Sequence, residues 1–190
     1  KILIINGHPN KESLNFGFTE AYKKGALESN AQVQEITIFD LKFNPNLEYG
    51  YQKRTELEPD LLEAREKIEW ADHLVWIHPV WWGGLPAMMK GFIDRLFLPG
   101  FAFQYREGSI FWDKLLKGKT AHIITTLDQP SWYYWLMYGR PSVNQLKKST
   151  LQFCGISPVN VSYFGIIKKS KEVTRLKWIN EVEVLGRRQK

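Results

Sequence analysis

The chain has 190 residues, 44% hydrophobic and 24% charged, with one cysteine, Cys154, and a formal net charge of +6. These values suit one globular domain, and they exclude a disordered tail, a collagen-like repeat, an intrachain disulfide and a thiolate metal cluster. The basic residues are scattered, with small clusters only at 168–171 and 186–190. The charge therefore reads as a solvated face that steers anionic small molecules, not as a nucleic-acid footprint.

Residues 1–6, KILIIN, are a continuous apolar run and predict a core strand with no export signal before it. The segment 14–27 places Leu14, Phe18, Ala21, Tyr22, Gly25 and Ala26 on one helical face. A second strand is expected over 31–41. The Asn, Pro and Gly punctuation that follows, up to residue 56, marks a long excursion rather than a linker. Pro59 near a helix start, with Leu61, Ala64, Ile68 and Ala71 at helical spacing, predicts the second helix.

The third strand is HLVWIHPV (73–80), and the third helix begins near Pro86. KTAHIITT (119–126), then a helix over 141–154, then VNVSYFG (159–165) and a last helix over 171–185 complete a βαβαβαβαβα order. Strands apolar on both faces that alternate with helices predict a parallel sheet covered on both sides. The longest apolar run, 74–89, is broken by His78, Pro79, Gly83, Gly84 and Pro86. It falls short of the roughly 20 apolar residues a spanning helix needs, so a soluble, cytoplasmic protein is expected. One domain over 1–190 is the expectation.

A sheet of this kind binds ligands beyond the carboxyl ends of its strands. Three loops then matter: 6–15, 78–86 and 125–141. The first has neither a G-x-G-x-x-G fingerprint nor a P-loop lysine. It does offer Ser13 at a helix start, free N–H groups around Ser13 to Phe16, and His8 just past the strand; these suit a phosphate, although a capping serine and a solvent-facing histidine are the plainer reading.

In the second loop, Pro79 supplies no N–H and stops strand pairing. The N–H groups of Val80 to Gly83 are then expected to stay free for the carbonyls and ring nitrogens of a planar heterocycle, which Gly83 and Gly84 allow to approach closely. Trp81 and Trp82 are adjacent, so one of them is expected to face the crevice. The third loop carries five aromatics within 125–141, which suits either a pocket that stacks planar molecules or a dimer contact. Cys154 reads as a buried packing thiol. No carboxylate pair, metal-ligand spacing or G-x-S-x-G elbow is present, so hard chemistry would belong to a cofactor.

GHPNKESLN, HPVWWGGLPAMMKGFIDRLFLPGFAFQY, LLKGK, ITT and FCG together resemble the flavodoxin-like NAD(P)H:quinone oxidoreductases, over nearly the whole chain. The resemblance implies a three-layer α/β fold with a five-stranded parallel sheet of order 2-1-3-4-5, a homodimer, and a flavin at the carboxyl edge. Hydride would pass from NAD(P)H to the flavin and on to a quinone or similar planar acceptor.

Carried over by motif, His8, Ser13, Leu14 and Asn15 would hold the phosphate end. Pro79, Val80, Trp81, Trp82 and Gly83 would line the ring, with Trp82 facing it and Trp81 contributing mainly backbone. Thr125, Thr126, Leu127 and Asp128 would close the other edge. Tyr133 matches a tyrosine that assists hydride transfer in the longer members, whereas the companion histidine has no counterpart, Gly139 falling near its place. Leu127-Asp128 replaces a glycine-rich start. The chain looks more like the short bacterial branch, which favours FMN over FAD. Two other readings stand beside this one: a flavin-binding ancillary subunit of a potassium efflux transporter, and a flavodoxin-type electron carrier, the latter disfavoured by the basic charge.

Overall fold

The computed structural model describes residues 1–50 and 52–189; Tyr51, within the excursion, and Lys190, the last residue of the second basic cluster, lie outside the described residues. Strand β1 (Ile2–Asn6) is buried along its whole length, as is β3 (His73–Pro79). Such continuous burial requires cover on both faces. Alternation along each strand divides the side chains between two layers. Leu3 and Ile5, with Leu74 and Trp76, enter one cluster; Ile2 and Ile4, with Val75 and Ile77, enter the other.

Five strands, all in parallel pairs, form the sheet in the order β2-β1-β3-β6-β7, where β2 is Val33–Thr37, β6 is Thr120–Thr126 and β7 is Val159–Phe164. The numbering skips two because β4 (Phe103–Tyr105) and β5 (Trp112–Lys114) form a separate antiparallel hairpin that the sequence pattern did not reveal. Strand β2 is shorter than expected: its last predicted residues coil into a 3₁₀ turn at Ile38–Asp40.

Helices α1 (Leu14–Glu28) and α6 (Glu172–Arg187) cover one face. They approach closely because Gly25 faces the backbone of α6 and Gly186 faces that of α1, leaving no room for a Cβ at either. Helices α2 (Pro59–Trp70) and α3 (Ala87–Leu96) cover the other face. The helix expected over 141–154 is found as α5 (Pro141–Asn144), which continues into π-helical turns over Gln145–Gln152. Helix α4 (Ser131–Tyr138) lies within what was expected to be a loop.

The 41–58 excursion is held against α3 by one buried cation. The guanidinium of Arg95 is bonded to Glu58 at 2.8 Å and donates to the Asn44 and Glu56 carbonyls. A buried charge is tolerable only when paired, and here the bonds of the two terminal amino groups also fasten an irregular segment to the core. No helix among the described residues is long and apolar enough to cross a membrane.

Candidate functional site

The carboxyl ends of β1, β3 and β6 are neighbours in the sheet, so the three loops that follow them converge at one edge. Side chains link them directly. The His8 ring meets the Trp81 ring edge-on, with centroids 5.7 Å apart. Asn15 and Thr126, 111 residues apart, exchange hydrogen bonds at 3.2 and 3.3 Å. Thr125 donates to the His78 carbonyl at 3.1 Å, and Asn6 donates to Thr19 at 2.9 Å.

In the first loop, Nδ1 of His8 accepts the Asn10 N–H at 3.0 Å, which leaves the ring proton on Nε2. Partial burial holds the His8 pKa below its usual value, so the ring is a neutral N–H donor at pH 7. Ser13 stands at the N-cap of α1 but makes no capping bond; its hydroxyl is buried without a partner. The N–H groups of Leu14 and Asn15, in the first turn, also find no protein acceptor among the described residues. Three donors at the positive end of a helix are therefore left for something else.

The second loop corrects an expectation. The ladder does not stop at Pro79: Val80 donates to the Thr126 carbonyl at 2.8 Å. Successive N–H groups of a strand point to opposite sides, so the one missing at Pro79 would have faced β1, which ends at Asn6. Trp81 and Gly84 then exchange two backbone hydrogen bonds, 3.1 and 2.8 Å, closing a two-residue turn. Trp82 and Gly83 have φ of 50° and 77°, positive at both central positions as a type I′ turn requires. Glycine accepts this conformation readily and tryptophan does so at a cost. Of the four N–H groups expected to be free, those of Trp82 and Gly83 remain free among the described residues, while those of Val80 and Trp81 are taken.

Trp82 was expected to face the ring, with Trp81 contributing mainly backbone. Trp82, at the tip of the turn, is 107% exposed and its ring stands clear of the protein. Trp81 is 43% exposed, and it is this ring that meets His8. A side chain at the tip of a tight turn has no flanking backbone to lie against, which accounts for the exposure of Trp82.

The third loop holds the feature the sequence concealed most completely. Buried Tyr134, on α4, donates its hydroxyl to the Gly83 carbonyl at 2.9 Å, meets Ser142 Oγ at 2.7 Å, and accepts the Ser142 N–H at 3.1 Å. Helix α4 is thus bolted to the glycine turn. Its neighbour Tyr133 packs edge-on against Trp132 and Tyr138, and the Tyr133 hydroxyl has no partner among the described residues. Pro130 before α4 and the left-handed Gly139 after it were the available signals for this helix.

Leu127 is buried in a cluster with Tyr134 and Val143. The Asp128 carboxylate accepts the Lys168 N–H at 2.8 Å and lies 3.5 Å from the Lys168 amine. Both side chains are therefore engaged within the chain. His78 is wholly buried; its Nδ1–H donates to the Pro79 carbonyl at 3.0 Å, and burial depresses its pKa to about 4. Cys154 is buried too, which pushes its thiol up to about 12, consistent with packing. No group of His, Cys, Asp and Glu among the described residues could hold a metal ion.

The order of the five-stranded sheet and the loops gathered at its carboxyl edge define a flavodoxin-like α/β protein. A family model described as "Flavodoxin-like fold" matches residues 1–181, and the chain belongs to that family. The chain is 28% identical over 180 residues to NAD(P)H dehydrogenase [quinone] 1 of Cavia porcellus, covering 82% of this chain but 64% of that one, just under two thirds of its length. Among solved structures, Smu.1420 from Streptococcus mutans UA159 is 34% identical, covers 98% of both chains and superposes with a TM-score of 0.86. An FMN-dependent NADH-azoreductase from Bacillus anthracis str. Ames Ancestor, solved in complex with FMN, shares the fold at a TM-score of 0.76 and 20% identity, covering 99% of this chain and 98% of that one.

Proposed function

We propose that the chain is a flavin-dependent NAD(P)H:quinone oxidoreductase, one flavin-binding domain that takes FMN and works by a ping-pong cycle, with NAD(P)H and a quinone or similar planar acceptor using the same face in turn. The observation that carries this reading is a set of donors left without protein acceptors at the carboxyl edge: Ser13 Oγ, the Leu14 and Asn15 N–H groups, and the Trp82 and Gly83 N–H groups. Ser13 Oγ is buried, and buried polar groups are almost always paired, so its unpaired hydroxyl beside four further free N–H groups supports a ligand there. The first three suit a phosphate at a helix N-terminus, and the last two suit the acceptor edge of a heterocycle.

The residues present therefore fit a flavin mononucleotide. When bound, the flavin supplies the capacity to take a hydride and pass it on. The chain's own contribution is placement. His8 offers a neutral Nε2–H donor. Trp81 gives an apolar wall braced by His8. Pro79 and Val80 carry the turn out from β3. The backbone from Thr125 to Asp128 closes the opposite side while Asn15 and Thr126 hold it in register. Tyr133, whose hydroxyl has no partner among the described residues, is assigned proton donation on the motif match alone. Holding two planar molecules in contact and excluding water needs no further acid, since orientation supplies much of the acceleration.

The relatives' names support the reading: one acts on NAD(P)H and quinone, the other is FMN-dependent. The test is a spectrum. Purified or FMN-reconstituted protein is expected to be yellow, to bleach with NAD(P)H and to recover its colour on adding a quinone. Protein that stays colourless after reconstitution would overturn the proposal.

A further inference from the structure

A cavity shares no residue with the three loops described above. It is a cleft between described residues of the 47–57 excursion and the 96–105 segment, with Arg65 of α2 at its side, and measures about 670 Å³. That is within the range of small-molecule sites, about 300–1,000 Å³. We infer that it is a binding site for an amphipathic organic anion, an apolar body carrying one negatively charged head group.

The apolar part of the wall is Leu57, Leu96, Leu98 and Phe101. The charged part is all of one sign: Lys53, Arg54 and Arg65 line the cavity, and no carboxylate does. Lys53 and Arg54 make no ion pair among the described residues. The Lys53 amine stands 4.9 Å from the centre of the Tyr49 ring. Arg65 is ion-paired through its Nε with Glu69, at 3.2 Å, and stacks on Phe101, 4.7 Å from the ring centre. Its two terminal amino groups have no acceptor among the described residues.

A second observation is independent of charge. The hydroxyl of Thr55, which lines the cavity between these cations and Leu57, is buried without a hydrogen-bond partner. An unpaired buried hydroxyl costs roughly 1–3 kcal/mol and is retained where a ligand satisfies it. The residues flanking this wall are tied to α3, by the buried Arg95–Glu58 pair and by the Arg95 bonds to the Asn44 and Glu56 carbonyls.

The test uses anilinonaphthalene sulfonate and its uncharged counterpart phenylnaphthylamine, titrated into the ¹⁵N-labelled protein as purified. The sulfonate is expected to bind saturably, one per chain, and to shift amides within 53–57 and 96–105 while leaving 79–84 unmoved. The uncharged molecule is expected to bind at least about tenfold more weakly, the scale of one charge-assisted hydrogen bond. Replacing both exposed cations, Lys53→Gln with Arg54→Gln, should weaken the sulfonate by a similar factor and leave the uncharged molecule unchanged; Thr55→Val should weaken the sulfonate alone. Equal binding of the two probes overturns the inference, as does a shift pattern centred on the glycine turn or α4. So does exclusion of the sulfonate as chain concentration rises, which would assign the cavity to a second copy of the chain.

Discussion

The inner and outer parts of the carboxyl edge are built from similar residues to opposite ends. Inside, Asn15, Thr125 and Thr126 are buried, and their side chains are hydrogen-bonded, Asn15 and Thr126 to each other and Thr125 to the His78 carbonyl. Outside, the turn and the start of α1 carry donors with no protein acceptor, beside exposed Trp82, Trp132 and Trp135. The difference teaches that polarity at a sheet edge does not by itself mark a binding residue. Where partners are satisfied within the chain the group holds the scaffold; where they are missing the group is the one to test for a ligand.

The largest expected effect concerns the scaffold. His78 is buried and neutral, with a pKa near 4 in the folded chain against an ordinary 6.5. Below pH 6.5 the unfolded chain takes up a proton that the folded chain refuses. Its contribution is therefore complete above pH 6.5 and is lost as pH falls toward 4, by up to about 3 kcal/mol. Urea unfolding at pH 7 and pH 4.5 should show the loss, and His78→Asn should flatten it. An unchanged slope in that variant would move the effect to His73, which burial also holds near 4.

Next are the inner hydrogen bonds. Thr126→Val leaves the Asn15 amide unpaired and should cost about 1–3 kcal/mol in denaturant unfolding. Tyr134→Phe should cost a similar amount and, because the hydroxyl bolts α4 to Gly83, should also weaken flavin retention several-fold. If retention is untouched, the turn does not depend on α4.

The outer donors should behave in the reverse manner. Ser13→Ala removes an unpaired hydroxyl, so stability should hold or rise slightly, while FMN retention falls about tenfold. A stability loss with unchanged retention would return Ser13 to the scaffold. Smallest of all, Trp82→Ala should alter stability by less than about 0.5 kcal/mol, as for other exposed positions, and Trp81→Ala should weaken FMN retention more than Trp82→Ala does.

Much of this was readable beforehand. The strands and most helices follow from apolar runs and their spacing, and the three loops at the carboxyl edge follow from the alternation of elements. Helix α4 was hidden because SWYYWLMY is apolar nearly all round, so no stripe distinguishes a buried face. The β4–β5 hairpin was hidden because its strands are three residues each, too short for a period to register. The expectation of four free N–H groups in the turn failed on a long-range contact: Val80 finds its acceptor in Thr126, 46 residues further along.

The sequence by itself determined the parallel sheet, its two covering layers and the three loops gathered at its carboxyl edge, because apolar periodicity is written locally and burial follows from it. Only the tertiary structure decided which groups at that edge are free. Asn15 is closed off by Thr126, Val80 by the same residue's carbonyl, and Tyr134 by Gly83 and Ser142, while Ser13 is left open. Hydrogen-bond satisfaction is a property of pairs brought together by folding, and no single stretch of chain carries it.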